Sequence, residues 1–433
     1  MKRLAFAAGL LAAYCSLSPS ANAQGNGGAS AERPVTLSQA YALSLAHMET
    51  IAQDKEAAKQ ALAHVNELVG DIMPQITGTA SNLWEENPGV SIGGINLTNQ
   101  PHAAITLNQI LFSGFREFLA FKQGRRDYES ANMTEKRAEQ LLYQDVGQAY
   151  VSLLQARDQI GIDEKIVKAG QDQVDFLRRW VQIGRAKRSD LLTAESVLEL
   201  SKAQLEQAHQ TESAGQEMLK FLTDSAQDLA PEELPPPDPG DLKGWLAAGE
   251  RRADVEAARD SYDAAQLQTK IISRQRWPTI TATGNYYLLQ SAFSKNVHYD
   301  GSVNLSVPLF TGGAISAQIR EAQAQEKSAE SGLSLALRTA DENVRSSYRN
   351  LKWAVGSSRA FADAVQAAKK SFAAEKSDFE QNLVTNLDVM NSLTSLANTE
   401  VQANAARQQA AFGLIQLQVA AGEVPLPKTG GAP

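Results

Sequence analysis

The sequence is poor in cysteine, in aromatic residues and in positive charge. One cysteine among 433 residues excludes a scaffold held by disulfides. Aromatic residues make up only 6% of the chain, which favours long helices over a layered α/β core. The net charge of −8 offers no basic surface, so no nucleic-acid partner is expected.

Long hydrophobic runs are also missing after the first two dozen residues, so no helical membrane span is predicted there. The start itself is typical of a signal peptide, residues 1–23. Lys2 and Arg3 precede an apolar stretch, and the small residues Ala21 and Ala23 suit cleavage after Ala23. The only cysteine, Cys15, would leave with this leader. We therefore expect an exported chain, which could still enter a membrane as strands.

A repeat divides the remaining chain. Residues of the first half recur 198 positions later in the second, as in the pairs Leu107 and Leu305, Tyr150 and Tyr348, and Asp190 and Asp388. The predicted organisation is an N-terminal segment (24–34), a first repeat (35–230), a proline-rich linker (231–240), a second repeat (241–421) and a disordered tail (422–433).

Each repeat is predicted to contribute two strands, at about 76–84 and 102–112 in the first and about 280–288 and 300–310 in the second. Val303, Leu305, Val307 and Leu309 alternate with polar or proline residues, which is the period of a strand with one apolar face. Four strands cannot close a membrane barrel, which needs at least about eight. Two copies would supply eight strands and three would supply twelve. A twelve-stranded ring would enclose a lumen lined by the polar alternates Ser302, Asn304 and Ser306.

Helix length is the second architectural signal. The proline-free stretches 114–184 and 312–382 would each extend roughly 105 Å as a helix, longer than any globular core. Helices about half as long are predicted at 38–73, 190–223, 242–277 and 388–421, so two short helices would stack end to end beside each long one. One short helix has the spacing of a coiled-coil seam at Leu191, Ala194, Leu198, Ser201, Leu205 and Ala208. An ordinary solvated coiled coil would share this pattern.

The chain resembles the TolC-like outer-membrane efflux proteins. The resemblance is carried by the signal peptide, the duplicated unit, the segment Leu305 to Gly313, and Pro74 and Pro278 before the first strand of each repeat. It implies a homotrimer of α plus transmembrane β class: a twelve-stranded outer-membrane β-barrel, four strands from each protomer, continued by a long periplasmic α-helical barrel. The implied function is the exit duct of a tripartite efflux or type I secretion system in the outer membrane of a Gram-negative bacterium. Its partners would be outer-membrane lipid, a periplasmic adaptor and an inner-membrane transporter driven by protons or ATP.

Two turns between long and short helices are the candidate sites. Gly184 and Asn382 tolerate the left-handed conformation of a helix C-terminus. Ser189 and Asp190 in the first turn, and residues 386–388 in the second, are predicted to cap the following helix. The resemblance implies that these tips contact the adaptor through Gly184, Asn382, Ile183 and Leu383.

The same resemblance places a ring of Asp388 side chains at the periplasmic entrance, although Asn391 replaces a second acidic residue common in the family. Family members also close the entrance with a tyrosine and an arginine that donate to residues matching Asp190 and Ser189. Phe379 and Val384 stand in the donor positions and cannot donate. Packing could replace those bonds, or a basic triplet could pair with Glu380 or Asp388, unless its charges are merely solvated. The triplet is Arg185, Lys187 and Arg188.

Enzyme chemistry is not predicted. No phosphate-binding GxxxxGK[ST] loop, GxSxG elbow or HExxH helix occurs. The histidines are scattered without the spacing of metal ligands, so no metal or cofactor is expected; they are His47, His64, His102, His209 and His298. An exported coiled-coil structural protein is the main alternative to a channel, and an exported enzyme is the weakest.

Overall fold

Two helices of 67 residues each dominate the computed structural model, which describes residues 33–84, 99–290, 296–381 and 383–425. They are α3 (Arg116–Gln182) and α7 (Ala314–Glu380), and each extends roughly 100 Å. The predicted signal peptide and Asn382 lie outside the described residues. So do most of the predicted N-terminal segment and tail.

The shorter helices flank these two. They are α1 (Leu37–His47), α2 (Glu49–Ile72), α4 (Arg188–Thr223), α5 (Leu242–Gly249), α6 (Ala253–Ser273) and α8 (Asn386–Ala421), with a 3₁₀ turn at Arg274–Arg276. Side by side, the order is α2 and α4, then α3, then α6 and α8, then α7. The helices thus form one layer, with α7 on one outer flank and α2 and α4 on the other.

Two helices predicted as continuous are broken, so the predictions for 38–73 and 242–277 are wrong in their interiors. The first breaks at Met48, whose backbone is extended (ψ 120°) while its side chain packs against a core that includes Tyr41 and Tyr150. The second breaks before Arg252, which is 2% exposed. The Arg252 guanidinium donates to Asp254 (2.6 and 2.8 Å) and to the Ala420 carbonyl (3.0 Å). The break lets a buried charge reach these partners, without which burial would be costly.

The predicted coiled-coil seam of α4 is buried at Ala194, Leu198, Ser201 and Ala208 and half-buried at Leu191 and Leu205. Glycines allow the helices to approach closely. A β-carbon on Gly215 would come within 3.5 Å of Leu153, and one on Gly413 within 3.4 Å of Leu351. The two contacts are equivalent in the repeat, because Gly413 follows Gly215 by 198 positions and Leu351 follows Leu153 by the same number.

The main sheet has four antiparallel strands in the order β2 (Gln75–Trp84), β3 (Asn99–Phe112), β5 (Thr279–Leu289) and β6 (Tyr299–Ser306). Strand β6 ends at Ser306, so the strand predicted to reach residue 310 is shorter than expected. Pro308 explains the difference, since proline has no N–H to donate to a strand ladder.

A second, two-stranded parallel sheet joins β1 (Arg33–Val35) to β4 (Leu229–Pro231). It brings the start of the first predicted repeat to the start of the proline-rich linker. The Tyr150 hydroxyl lies 2.9 Å from the Val35 carbonyl and 2.8 Å from that of Glu232, while Tyr348 donates to the Gly240 carbonyl (3.2 Å). Both ends of the linker are therefore fixed by tyrosines that occupy equivalent sequence positions.

The first residues of the predicted disordered tail are ordered. Gly422 adopts a left-handed conformation (φ +78°) that ends α8, and the Glu423 N–H donates to the Gln418 carbonyl (2.9 Å). Val424 then packs against the core. The turn at Gly422 folds the chain back so that Val424 reaches the core, which the glycine and proline content of the tail did not predict.

Candidate functional site at the helical hairpin tips

The turn between α3 and α4 is built around Gly184. Its φ of +71° confirms the predicted left-handed conformation. The Gly184 N–H donates to the Val181 carbonyl (3.1 Å) and the Arg185 N–H to that of Trp180 (2.8 Å), which satisfies the end of α3. A β-carbon at Gly184 would meet no atom within 4 Å, so a side chain there would cost conformational strain rather than a clash.

The turn between α7 and α8 ends in a capping box formed by Thr385 and Asp388. The Thr385 hydroxyl accepts from the Asp388 N–H (3.4 Å), and the Asp388 carboxylate accepts from the Thr385 N–H (2.9 Å) and hydroxyl (2.6 Å). The hydroxyl bond, followed by the backbone bond, lowers the pKa of the exposed Asp388 carboxyl below its ordinary value.

Asp190, at the equivalent position of the first turn, does not cap its helix. Helix α4 begins at Arg188, so Ser189 and Asp190 lie inside its first turn. Lys187 is the N-cap residue, and no side-chain capping hydrogen bond forms there. The Asp190 N–H donates to the Lys187 carbonyl instead (3.1 Å). The prediction that Ser189 and Asp190 cap this helix is wrong. Ser189 already lies within the helix, and Lys187, which has no side-chain oxygen, stands at the N-cap position that Thr385 holds before α8.

Two buried amides connect the hairpins. Asn386 is 4% exposed and Gln173 is 5% exposed. The Gln173 side chain donates to the Asn386 Oδ1 (3.0 Å), and the Asn386 Nδ2 donates to the Asp190 carbonyl (3.2 Å). We call Gln173, Asn386 and the Asp190 carbonyl the amide link. It joins α3, α8 and α4. The prediction that Asn386 caps α8 is wrong, because Thr385 is the N-cap residue and the Asn386 side chain bonds to Gln173 and to the Asp190 carbonyl instead.

Aromatic packing surrounds Phe379. Its ring centroid lies 5.8 Å from that of Phe176 and 6.1 Å from that of Trp180. Apolar residues of all four helices extend this contact into one buried cluster that includes Leu177, Leu198 and Leu393. Phe379 stands where the TolC-like family was expected to have a hydrogen-bond donor. Its ring instead packs on the α3–α4 hairpin. Val384, in the second donor position, is half-buried.

The charged and apolar residues at the tips remain exposed. Arg185, Lys187, Arg188, Asp388 and Asn391 are all exposed. Within the described part of one protomer, no ion pair joins the basic triplet to Glu380 or Asp388. Two apolar tip residues also face solvent, Ile183 at 65% exposure and Leu383 at 69%. The third predicted tip residue, Asn382, lies outside the described residues.

The sheet has two faces of opposite character. Ser302, Asn304 and Ser306 pair with Thr283, Thr281 and Thr279, so these polar side chains share one face, which we call the polar face. Val303 and Leu305 pair with Ala282 and Ile280 on the other, which we call the apolar face. Strands β2 and β3 continue both, because Thr77 pairs with Thr106 and Ile76 with Leu107. Ile76, Val303 and Leu305 are 67% to 71% exposed, so the apolar face is not covered within the protomer.

Two features are not found among the described residues: a cluster of metal ligands and a membrane-spanning helix. No group of three or more histidine, cysteine, aspartate or glutamate residues among them could hold a metal ion. Across the same ranges, no helix combines the length and apolar character that a membrane span requires.

Known proteins share this fold. The model of the outer membrane efflux protein family matches residues 40–223 and 247–423. The chain is 24% identical to outer membrane protein TolC of Salmonella enteritidis, over 90% of this chain and 82% of that protein. It is 24% identical to the alkaline protease secretion protein AprF of Pseudomonas aeruginosa, over 68% of this chain and 64% of that protein. The crystal structure of the Campylobacter jejuni CmeC outer membrane channel superimposes with a TM-score of 0.79, at 15% identity, over 89% of this chain and 85% of that one.

These matches cover both long helices, both hairpins and all four strands of the main sheet. The chain therefore belongs to the outer membrane efflux protein family and serves as an outer-membrane exit duct of efflux or type I secretion systems.

Proposed function

We propose that three copies of this chain close into a single duct, with a twelve-stranded barrel in the outer membrane and a helical barrel in the periplasm. Strands β2 and β6 are the outer strands of the main sheet, and each has one edge without a partner strand among the described residues. An unpaired edge invites pairing with another copy. The outer helices support the same closure, since α7 and α4 carry exposed apolar residues such as Leu335 and Phe221.

The two faces of the sheet assign the inside and the outside of this barrel. The polar face would line an aqueous lumen, with Ser302, Asn304 and Ser306 on its wall. The apolar face would contact lipid, because exposed Ile76, Val303 and Leu305 are costly in water and stable in a bilayer. This opposition between faces is the observation that carries the proposal.

The hairpin tips would form the periplasmic entrance. Asp388 from three copies would make an acidic ring that attracts cations, and Asn391 beside it would keep the ring less acidic than two aspartates would. Asp388 can take this role and still cap α8, since its exposed carboxylate has a second oxygen that makes no bond within the described residues.

Closure of the entrance would rest on the amide link and on Phe379, since Phe379 and Val384 provide no donor. Both contacts lie within one protomer and hold the α7–α8 turn to the α3–α4 turn. The basic triplet would add ion pairs to Glu380 or Asp388 of a neighbouring copy, where the trimer brings adjacent tips together.

The tips would also receive the adaptor. Ile183 and Leu383 are exposed apolar residues beside Gly184, whose missing side chain permits close backbone approach. Outer-membrane ducts of efflux and type I secretion systems work with an adaptor and an inner-membrane transporter, which supplies the energy.

Paired charge substitutions test the orientation of the sheet. Val303→Asp places a carboxylate on the proposed lipid face, and Ser302→Asp places one on the proposed lumen face of the same strand. We expect Val303→Asp to reduce recovery in the outer-membrane fraction, because a charge facing lipid is destabilising. Ser302→Asp should still insert and form channels in planar bilayers, with increased cation selectivity. Equal behaviour of the two variants, or recovery of the wild type without membrane, would contradict the proposal.

A further inference from the structure

The apolar face of the sheet continues to the end of β3 because of a bulge. Ile110 pairs with Thr281, but Phe112 pairs with the next residue back, Ile280. Leu111 is therefore the additional residue, and Phe112 moves to the face of Ile280 and Leu305. The Phe112 ring thus lies at the end of the apolar face nearest the helices, where β3 is followed by α3.

Three further aromatic residues gather around this ring. The Phe112 centroid lies 5.4 Å from that of Phe115 and 6.3 Å from that of Trp277, and Phe115 lies 6.4 Å from Phe118. We call these four residues the junction aromatic cluster. Phe115, Phe118 and Trp277 are 51% to 55% exposed, so these rings are not buried in a core of the protomer.

Phe115 has a strained backbone. Its φ of +61° lies in the left-handed region, which bulky side chains rarely adopt. Glycine would remove the strain and the exposed ring together. Strain of this kind persists where surrounding structure imposes it and is often found at functional positions.

Three arginines lie next to the cluster in sequence, each held by one hydrogen bond. Arg116 donates to the Ser113 carbonyl (3.0 Å), Arg274 to that of Gly114 (2.9 Å) and Arg276 to the Ser316 hydroxyl (3.2 Å). Within the described ranges, none of the three forms an ion pair with a carboxylate. Each guanidinium has five N–H groups, so donors remain for an anionic partner.

The opposite end of the apolar face also has aromatic residues. Tyr286 pairs with Tyr299, and Trp84 shares the face of Ile76. Trp277 and Tyr286 are nine residues apart, about 30 Å along a strand, or about 21 Å across a membrane at a tilt of about 45°. Outer-membrane barrels have apolar bands about 25 Å tall between two aromatic girdles. The spacing between Trp277 and Tyr286 is close to that height, so each aromatic group fits one membrane–water interface.

We propose that the junction aromatic cluster and the three arginines form a phospholipid-binding surface at the periplasmic boundary of the membrane. The rings would lie at the level of the ester groups, and Arg116, Arg274 and Arg276 would donate to headgroup phosphates. This inference rests on the proposed insertion of the sheet into the outer membrane. The inference adds the level on the protein at which the membrane ends and the side chains that contact the lipid headgroups there.

Depth-dependent fluorescence quenching tests the position. The chain has five tryptophans, so variants that retain only Trp277, only Trp84 or only Trp180 can be made with phenylalanine at the others. In vesicles of brominated phosphatidylcholine, Trp277 should be quenched most by bromines near the headgroup and least by those at the chain ends. Trp180, near the hairpin tip, should not be quenched.

The outcomes separate this inference from the proposed function. Quenching of Trp84 without quenching of Trp277 would overturn the junction surface and leave insertion of the sheet intact. No quenching of either would overturn both.

A second experiment tests the arginines. With brominated phosphatidylglycerol in place of phosphatidylcholine, quenching of Trp277 should show a preference for the anionic lipid of about five-fold for each arginine in contact. Replacing Arg116, Arg274 and Arg276 by glutamine should abolish that preference, whereas Arg359→Gln on the distant part of α7 should preserve it. An equal preference in the wild type and the triple variant would overturn the assignment of these arginines to phosphates.

Discussion

Asp388 and Asp190 are 198 positions apart and begin equivalent helices, yet their surroundings differ. Asp388 accepts two bonds from Thr385, while Asp190 contributes its carbonyl to the amide link. A single carboxylate therefore has two uses at the second tip. It stabilises the start of α8, and in the proposed trimer it would place negative charge at the entrance.

Asp388→Asn should lower the cation selectivity of single channels and their block by cations, because it removes three charges from the proposed ring. Reversal potentials in a salt gradient across planar bilayers would measure the change. Asp363→Asn removes the same charge from an exposed site on α7 and should leave selectivity as it is. Unchanged selectivity in Asp388→Asn would place the ring elsewhere.

Thr385→Ala should destabilise the first turn of α8 by about 1 kcal/mol, the usual effect of losing an N-cap. Amide hydrogen exchange of that turn at pH 7 should become about five-fold faster. Thr394→Ala is the control, since the Thr394 hydroxyl donates to the Met390 carbonyl within the helix and satisfies no free amide. Comparable exchange in both variants would argue against the capping box.

The lowered pKa of Asp388 gives this cap a pH dependence. Because the folded-state pKa lies below the ordinary value near 4, the contribution of the carboxylate is complete above that value. It is lost as the pH falls through the lower, folded-state pKa. Exchange at the start of α8, corrected for its intrinsic rate, should therefore increase only in strongly acidic solution.

Buried contacts hold the two helical hairpins of one protomer together. Asn386→Leu keeps the approximate volume of the side chain but removes the amide link, and it leaves the buried Gln173 without its acceptor. We expect a higher open probability of single channels and greater sensitivity of cells to large antibiotics. Gln171→Leu, which breaks only an exposed bond to Asp175, should behave like the wild type. A closed channel in Asn386→Leu would assign closure to the aromatic packing alone.

Replacing Arg185, Lys187 and Arg188 by glutamine tests the other contribution to closure. If the triplet pairs with a neighbouring copy, open probability should rise and the increase should depend on salt concentration, since exposed ion pairs are screened. Glutamine at Arg338, Arg349 and Arg359 makes the same change in net charge away from the tips. No difference between the two triple variants would mean that the tip charges are only solvated.

The two long helices and the faces of the sheet could be predicted from the sequence, because missing prolines and a period of two are local signals. The break at Met48 could not, since it depends on packing of Met48 against a core built from several helices. The amide link escaped prediction for a similar reason: Gln173 and Asn386 are 213 residues apart. A polar residue within the apolar stripe of Val174 and Leu177 was the one available signal for it.

At the scale of the whole molecule, the number of copies decides the size of the duct. Purified protein in detergent should have the mass of three chains once bound detergent is subtracted, as measured by light scattering coupled to size-exclusion chromatography. Heating in sodium dodecyl sulfate should release single chains and provides the reference mass. Two chains per particle would give an eight-stranded ring instead, and a monomer would leave the sheet edges open.

The ends of each half of the molecule lie side by side. Strands β1 and β4 place residue 33 next to residue 229, and Arg252 near the start of the second half donates to Ala420 near its end. A unit whose termini meet can be copied in tandem and joined by a short connector without any rethreading of the chain. The same geometry makes the linker a natural place to divide the protein into its two halves, because a break within 232–240 would leave every helix and strand of the described chain uncut.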